Sequence, residues 1–225
     1  MKRDLEGTSI LISGATGVLG RAIGRRLKQE GADLTLFARD ESLLSALDMP
    51  GARVVGDLAD AEACDRAATA AIAAYGKLDG VVNAAGVVAF GTFDQIDDAV
   101  IDELLTTNFL GPLRLMRATL PDIESGGFIA NLSAVVAEHP TAGMAVYSAA
   151  KAALTALDHA LARELRRRRI DVLDVRPPHT ETGLSTRPIA GTAPNLPEGK
   201  SVEAVADRIV LGIQERTRDL PSDAF

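Results

Sequence analysis

Residues 13–20 read SGATGVLG, with Gly14, Gly17 and Gly20 following directly on the apolar run Ile10-Leu11-Ile12. An apolar run, a cluster of glycines and then a helically periodic stretch describe a strand, a tight loop and a helix. In such a unit the helix start offers unpaired N–H groups and a partial positive charge, a natural seat for a pyrophosphate. Gly14 would make the tight turn, Gly17 would let backbone come close to a ligand, and Gly20 would let the helix lie near the strand. Three glycines can equally build a tight turn and nothing more, and the spacing is not the common G-x-G-x-x-G fingerprint. The loop alone leaves both readings open.

The rest of the chain repeats the unit. Strands are expected over 8–13, 33–38, 53–55, 78–83, 127–133 and 170–175, and helices over 18–30, 42–47, 59–75, 97–120, 146–167 and 202–214. The helix over 146–167 carries the stripe Leu154, Leu157, Leu161 and Leu165. Continuous apolar strands alternating with helices indicate an α/β fold, a doubly wound parallel sheet of six or seven strands. A seventh strand, if present, is reduced to part of the ending Arg218-Asp-Leu-Pro-Ser-Asp-Ala-Phe225. No repeat or linker divides the 225 residues, so a single domain is expected. Residues 177–200, rich in proline and glycine, are too long for a simple connection and form a candidate lid or substrate loop.

Composition narrows the function. With 24 basic and 31 acidic residues the net charge is −7, which disfavours nucleic acid as a partner. No run of about 18 apolar residues exists, so no transmembrane span is expected, and the MKRDLEG start lacks an apolar signal region. A cytoplasmic location is the simplest expectation. The single Cys64 has no disulfide partner within the chain and reads as a small core or surface residue. His139, His159 and His179 show no metal-ligand spacing, so no metal is expected. His139 and His179 fall in loops near the expected substrate mouth, whereas His159 lies on a polar helix side. Four consecutive arginines from Arg166 to Arg169 suit a helix C-terminus better than a nucleic-acid patch in so acidic a chain.

The end of the second strand, Leu36-Phe37-Ala38-Arg39-Asp40, bears on the cofactor. Dinucleotide sites place an acid there for the ribose 2′-hydroxyl. A small residue followed by arginine suits a 2′-phosphate instead, favouring NADP over NAD. Asp40 is either a helix cap or a ribose contact, and Arg21, just past the loop, either assists or lies exposed.

Much further on stands Tyr147-Ser-Ala-Ala-Lys151, whose tyrosine and lysine share one helix face. With the glycine loop, Asn83-Ala-Ala-Gly86 after the fourth strand and Ser133 after the fifth, the chain resembles the short-chain dehydrogenase/reductase family over about residues 7 to 215. The resemblance implies a catalytic set of Asn108, Ser133, Tyr147 and Lys151. Tyr147 would be the general acid/base, Lys151 would lower its pKa and hold the nicotinamide ribose, Ser133 would orient the reacting oxygen, and Asn108 would support a water-linked proton path. It implies a cofactor site of Ser13, Gly14, Thr16, Gly17, Val18, Leu19 and Gly20 in the loop, Arg39, Asp57 and Leu58 at the adenosine side, and Asn83, Ala84, Ala85 and Gly86. Tyr147, Lys151, Pro177, Thr180 and Thr182 would hold the nicotinamide end. Ser133, Val135, Tyr147 and His179 would meet the substrate. The glycine spacing departs from the family's classical branch and is similar to its extended and atypical ones.

The reading that follows is an NADP-dependent oxidoreductase acting on a small carbonyl or alcohol. Val87, Val88, Phe90, Val135, Val136 and Met144, near the expected mouth, point to a weakly polar substrate. Two rivals stand: a cofactor-binding regulator without turnover, and an epimerase or dehydratase that recycles its cofactor. In the family the helices over 97–120 and 146–168 pack across a dimer interface, so a second copy is the expected partner.

Overall fold

A computed structural model describes residues 2–225. Seven parallel strands form one sheet in the order β3-β2-β1-β4-β5-β6-β7, namely β1 Ser9–Ser13, β2 Asp33–Ala38, β3 Ala52–Val55, β4 Leu78–Asn83, β5 Ile123–Leu132, β6 Asp171–Val175 and β7 Asp219–Leu220. The strand order reverses between β1 and β4, and an open α/β sheet binds its ligands above such a switch point.

Successive residues on a strand face opposite layers, and the sequence uses both. Ile10 and Ile12 join a core closed by α1 (Val18–Gln29), α2 (Glu41–Ser45) and α7 (Val202–Glu215) through Ile23, Leu27, Leu44 and Ile209. Leu11, Val81, Ile129 and Val172 face the other layer, built by α3 (Ala61–Tyr75), α5 (Gly111–Thr119) and α6 (Ala145–Glu164), while Leu104 of α4 (Asp98–Leu105) joins Phe90 and Tyr147 in a third cluster. Buried Cys64 belongs to that second core; burial pushes its thiol up to about 11, as befits an unreactive core residue.

The region read as one helix over 97–120 is two helices joined by a π-helical turn at Thr106–Leu110. Asn108 sits inside this turn, its amide donating to the Leu104 carbonyl at 2.9 Å. β7 has two residues, which gives the expected reduced strand a definite place beside β6. Asp40 caps α2, its carboxylate accepting from Leu43 N at 2.9 Å. Arg168 donates to the carbonyls of Leu120 and Ile123, so at least one of the four arginines closes the end of a neighbouring element. Among the described residues no helix is long and apolar enough to cross a membrane.

Candidate functional site

A cleft of about 510 Å³ opens above the carboxyl ends of β1, β4, β5 and β6. One end is the glycine loop. Gly14 adopts φ +70°, and a Cβ there would meet Ala85 N at 2.6 Å, so only glycine makes this turn. A Cβ on Gly20 would stand 2.3 Å from the Gly14 carbonyl oxygen, which is why α1 can begin so close to β1. α1 has Gly17 as its N-cap and no side chain bonded over its first N–H groups. Those donors face the cleft with Gly17, Val18, Leu19 and Gly20 along its wall. An anionic group such as a diphosphate fits this cradle in both shape and charge.

The other end carries the side chains that the sequence singles out for catalysis. Tyr147, Lys151, Thr155 and Asp158 recur at spacings of four, four and three along α6 and so share its inward face. Tyr147 and Lys151 line the cleft, joined there by Ser133 from the end of β5. Lys151 Nζ donates to the Leu132 carbonyl at 2.6 Å and lies 5.9 Å from the centre of the Tyr147 ring. Burial pulls the lysine down to about 8, against the opposing pull of Asp174 and Asp158. Burial also pushes the Tyr147 phenol up to about 12. Burial is the largest influence on both groups, and the ammonium is turned to a backbone carbonyl. Burial favours the neutral phenol.

Beneath the cleft the register aligns one residue from each of five strands: Ser13 with Asn83, Asn83 with Asn131, Asn131 with Asp174, and Asp174 with Asp219. Ser13 Oγ donates to Asn83 Oδ1 at 3.0 Å, Asn83 Nδ2 to Asn131 Oδ1 at 2.7 Å, and Asn131 Nδ2 to Asp158 Oδ1. Asp158 is 1% exposed and its Oδ2 has no partner; burial pushes its carboxyl up to about 8. Asp174 is held by Arg176, whose guanidinium also bonds Glu138 and Asp219. His159 approaches Asp174 at 3.8 Å, but Arg176 already supplies the cation for both aspartates of that group.

The family model for the short chain dehydrogenases matches residues 8–190. The chain belongs to the short-chain dehydrogenase/reductase family. An uncharacterised oxidoreductase of Staphylococcus epidermidis is 32% identical, covering 91% of this chain and 90% of its own. Ipsdienol dehydrogenase of Ips pini is likewise 32% identical over 82% of this chain and 79% of its own. A short chain dehydrogenase from Burkholderia cenocepacia, solved in complex with NADP, superposes with a TM-score of 0.85 at 27% identity, covering 99% and 98% of the two chains. The protein is an NAD(P)-dependent oxidoreductase with the Rossmann-type sheet of this family.

In this short-chain dehydrogenase/reductase most of the expected residues converge. Gly17 to Gly20, Arg39, Ala84, Ala85, Gly86, Ser133, Val135, Tyr147, Lys151, Pro177, His179, Thr180 and Thr182 all line the cleft. Others stand behind it. The Ser13 and Asn83 side chains are spent on the polar row, Gly14 shapes the turn from below, and Thr16 gives its carbonyl to Arg21 at 3.3 Å. Leu58 is buried in the second core, and Asp57 pairs with Arg39 across 3.7 Å at the exposed end of β3. Asn108 is fully buried and holds the backbone of Val87 at 3.0 Å. His139 is exposed outside the cleft wall, unlike His179.

The loop over 177–200 is tied at its middle to the cleft wall, and its two ends are tied to each other. Phe90 N donates to the Ala190 carbonyl at 3.0 Å, and Lys200 N to that of His179 at 2.8 Å. Leu184, Ser185, Arg187 and Leu196 of this loop also line the cleft, and sequence reasoning did not single them out. It also passed over Thr155, Asp158, Asp174 and Arg176. The available signal was charge inside segments that otherwise read as buried: an aspartate one residue from the end of the apolar strand β6, and another on the inner face of α6.

Proposed function

We propose that the enzyme is an NADP-dependent carbonyl reductase for a small, weakly polar substrate, with Tyr147 as general acid/base. One observation carries the reading: Ser133, Tyr147 and Lys151 share a cleft with the open N-terminus of α1, and Val88, Val136, Val146 and Phe90 pack around the tyrosine. When bound, the nicotinamide cofactor supplies or removes the hydride.

The chain's own groups do the rest. N–H groups of Val18, Leu19 and Gly20 would hold the diphosphate, and Arg39 would meet the 2′-phosphate. Its present pair with Asp57 is exposed and long, so a phosphate can displace the carboxylate at little cost. Thr180 and Thr182 would meet the carboxamide end. Ser133 would hydrogen-bond the reacting oxygen, and Tyr147 would give that oxygen its proton. Lys151 as the ammonium would stabilise the phenolate left behind. Asn108 spends both amide hydrogens on backbone carbonyls but keeps a lone pair on Oδ1 free to accept from a water on the path to Lys151. The apolar walls favour a substrate with little charge of its own, and His179 is one of the polar groups lining the cleft that would meet it. A second copy would pack on α4–α5 and α6, where Leu110 is exposed.

The test is a consumption screen with NADPH over aldehydes, ketones and quinones, with NADH run in parallel and Tyr147→Phe as control. NADPH-dependent turnover that drops by at least about a hundredfold in Tyr147→Phe, with cofactor binding kept, is the expected result. Cofactor binding with no turnover on any carbonyl would support the regulator instead.

A further inference from the structure

Ser133 is held by a side chain that does not line the cleft. Thr155, one helical turn beyond Lys151, places its hydroxyl 3.0 Å from Ser133 Oγ and 3.1 Å from Asp174 Oδ1. Ser133 meanwhile donates to the Lys151 carbonyl at 2.9 Å. A hydroxyl has one proton and two acceptor positions, so these contacts cannot all be donated at once. Asp174 is fully buried, and its Oδ2 accepts from Arg176, which Glu138 and Asp219 hold in turn. The ion pair leaves Asp174 Oδ1 as an acceptor, and a charged acceptor draws the Thr155 proton more strongly than a neutral one.

Two consistent arrangements follow. With Thr155 donating to Asp174, Thr155 offers Ser133 a lone pair; Ser133 keeps its proton pointed inward and is left to accept from the cleft. With Thr155 donating to Ser133, the serine proton is free to turn outward and donate. A carbonyl oxygen can only accept, and an alcohol can donate, so the two arrangements match the two ends of the proposed reaction. We propose that Thr155, anchored by the Asp174–Arg176 ion pair, is a positioning residue that sets the hydrogen-bond direction of Ser133. The inference rests on the carbonyl reductase reading for its kinetic consequence, and on the geometry alone for the coupling of the two hydroxyls.

The test uses Thr155→Val, which removes the hydroxyl and keeps the shape, Thr155→Ser, which restores it, and Ser133→Ala. Thr155→Val is expected to lower kcat for carbonyl reduction about tenfold, with the NADPH dissociation constant by fluorescence titration within about twofold of wild type. Thr155→Ser is expected to recover most of that loss, which a packing role would not produce. In denaturant unfolding, Thr155→Val and Ser133→Ala together should cost less than the sum of their separate effects, a comparison that needs no substrate. Strict additivity there, or a Thr155→Val enzyme with unchanged kcat, overturns the proposal. A wild-type protein that reduces no carbonyl defeats the functional reading instead, and the unfolding cycle still decides whether Thr155 holds Ser133.

Discussion

At the scale of single residues the chemistry turns on how burial treats Tyr147 and Lys151. Both are nearly inaccessible, and desolvation works against whichever form carries charge. The tyrosine is held as the phenol, up to about 12, while the lysine gives up its proton at about 8. The proposed reduction requires the phenol to be present and the ammonium to be ready for the phenolate it leaves. The phenol condition holds throughout the usual range, so the lysine sets the limit. The kcat/KM for NADPH in the reducing direction is therefore expected to be flat below pH 7 and to fall as pH rises through about 8, since this parameter reports the free enzyme. Lys151→Arg remains a cation at every pH in that range, so its smaller activity should show no fall near pH 8. A wild-type profile without that limb would detach Lys151 from proton transfer.

At the scale of elements, the strand–loop–helix unit was readable because its constraints are local. Gly14 needs a left-handed turn, Gly20 a close carbonyl, and both needs are met within eight residues of sequence. A methyl at Gly20 would collide with backbone, which cannot swing aside as a side chain can. Gly20→Ala should thus leave far-UV circular dichroism unchanged and weaken NADPH binding by at least about tenfold in a fluorescence titration, a loss of about 1.4 kcal/mol. An unaltered affinity would mean that the loop does not hold the cofactor. The strands at Asp33–Ala38 and Leu78–Asn83 were equally legible, being apolar runs between clear breaks. The π turn was not. Periodicity through Leu104, Leu105 and Leu113 reads as one helix, and neither the extra residue of the turn nor the Asn108 bond to the Leu104 carbonyl leaves a mark on that pattern. The start of β5 at Ile123 was hidden for a similar reason: Ile123 pairs with Leu78 across a register shift, ahead of two glycines that look like a turn.

At the scale of the whole molecule, the feature least visible in sequence is the polar row that crosses five strands under the cleft. Each member is an ordinary strand-end residue, and only the parallel register joins them. The row ends on Asp158, which accepts from Asn131 through one oxygen and leaves the other without a partner. An unfolded aspartate titrates near 3.8, whereas burial keeps this one protonated to about 8. The folded state therefore binds a proton that the unfolded state has lost. Its contribution to stability is full below about pH 4 and declines as pH rises through the folded value near 8, by about 1.4 kcal/mol per pH unit between. Lys151 has the opposite sign but a different window: its folded pKa lies below its unfolded one of 10.5, so its effect changes only above pH 8. Asp158→Asn copies the neutral carboxyl in shape and still accepts from Asn131. The variant should match the wild-type Tm near pH 4.5 and exceed it by roughly 10 °C or more at pH 8, since about 5 kcal/mol accumulates over that interval and 1 kcal/mol moves Tm by about 2–4 °C in a chain of this length. Thermal unfolding at the two pH values decides it: a Tm difference of the same size at both would mean that Asp158 is ionised in the fold and that the row ends on a charge rather than on a carboxylic acid.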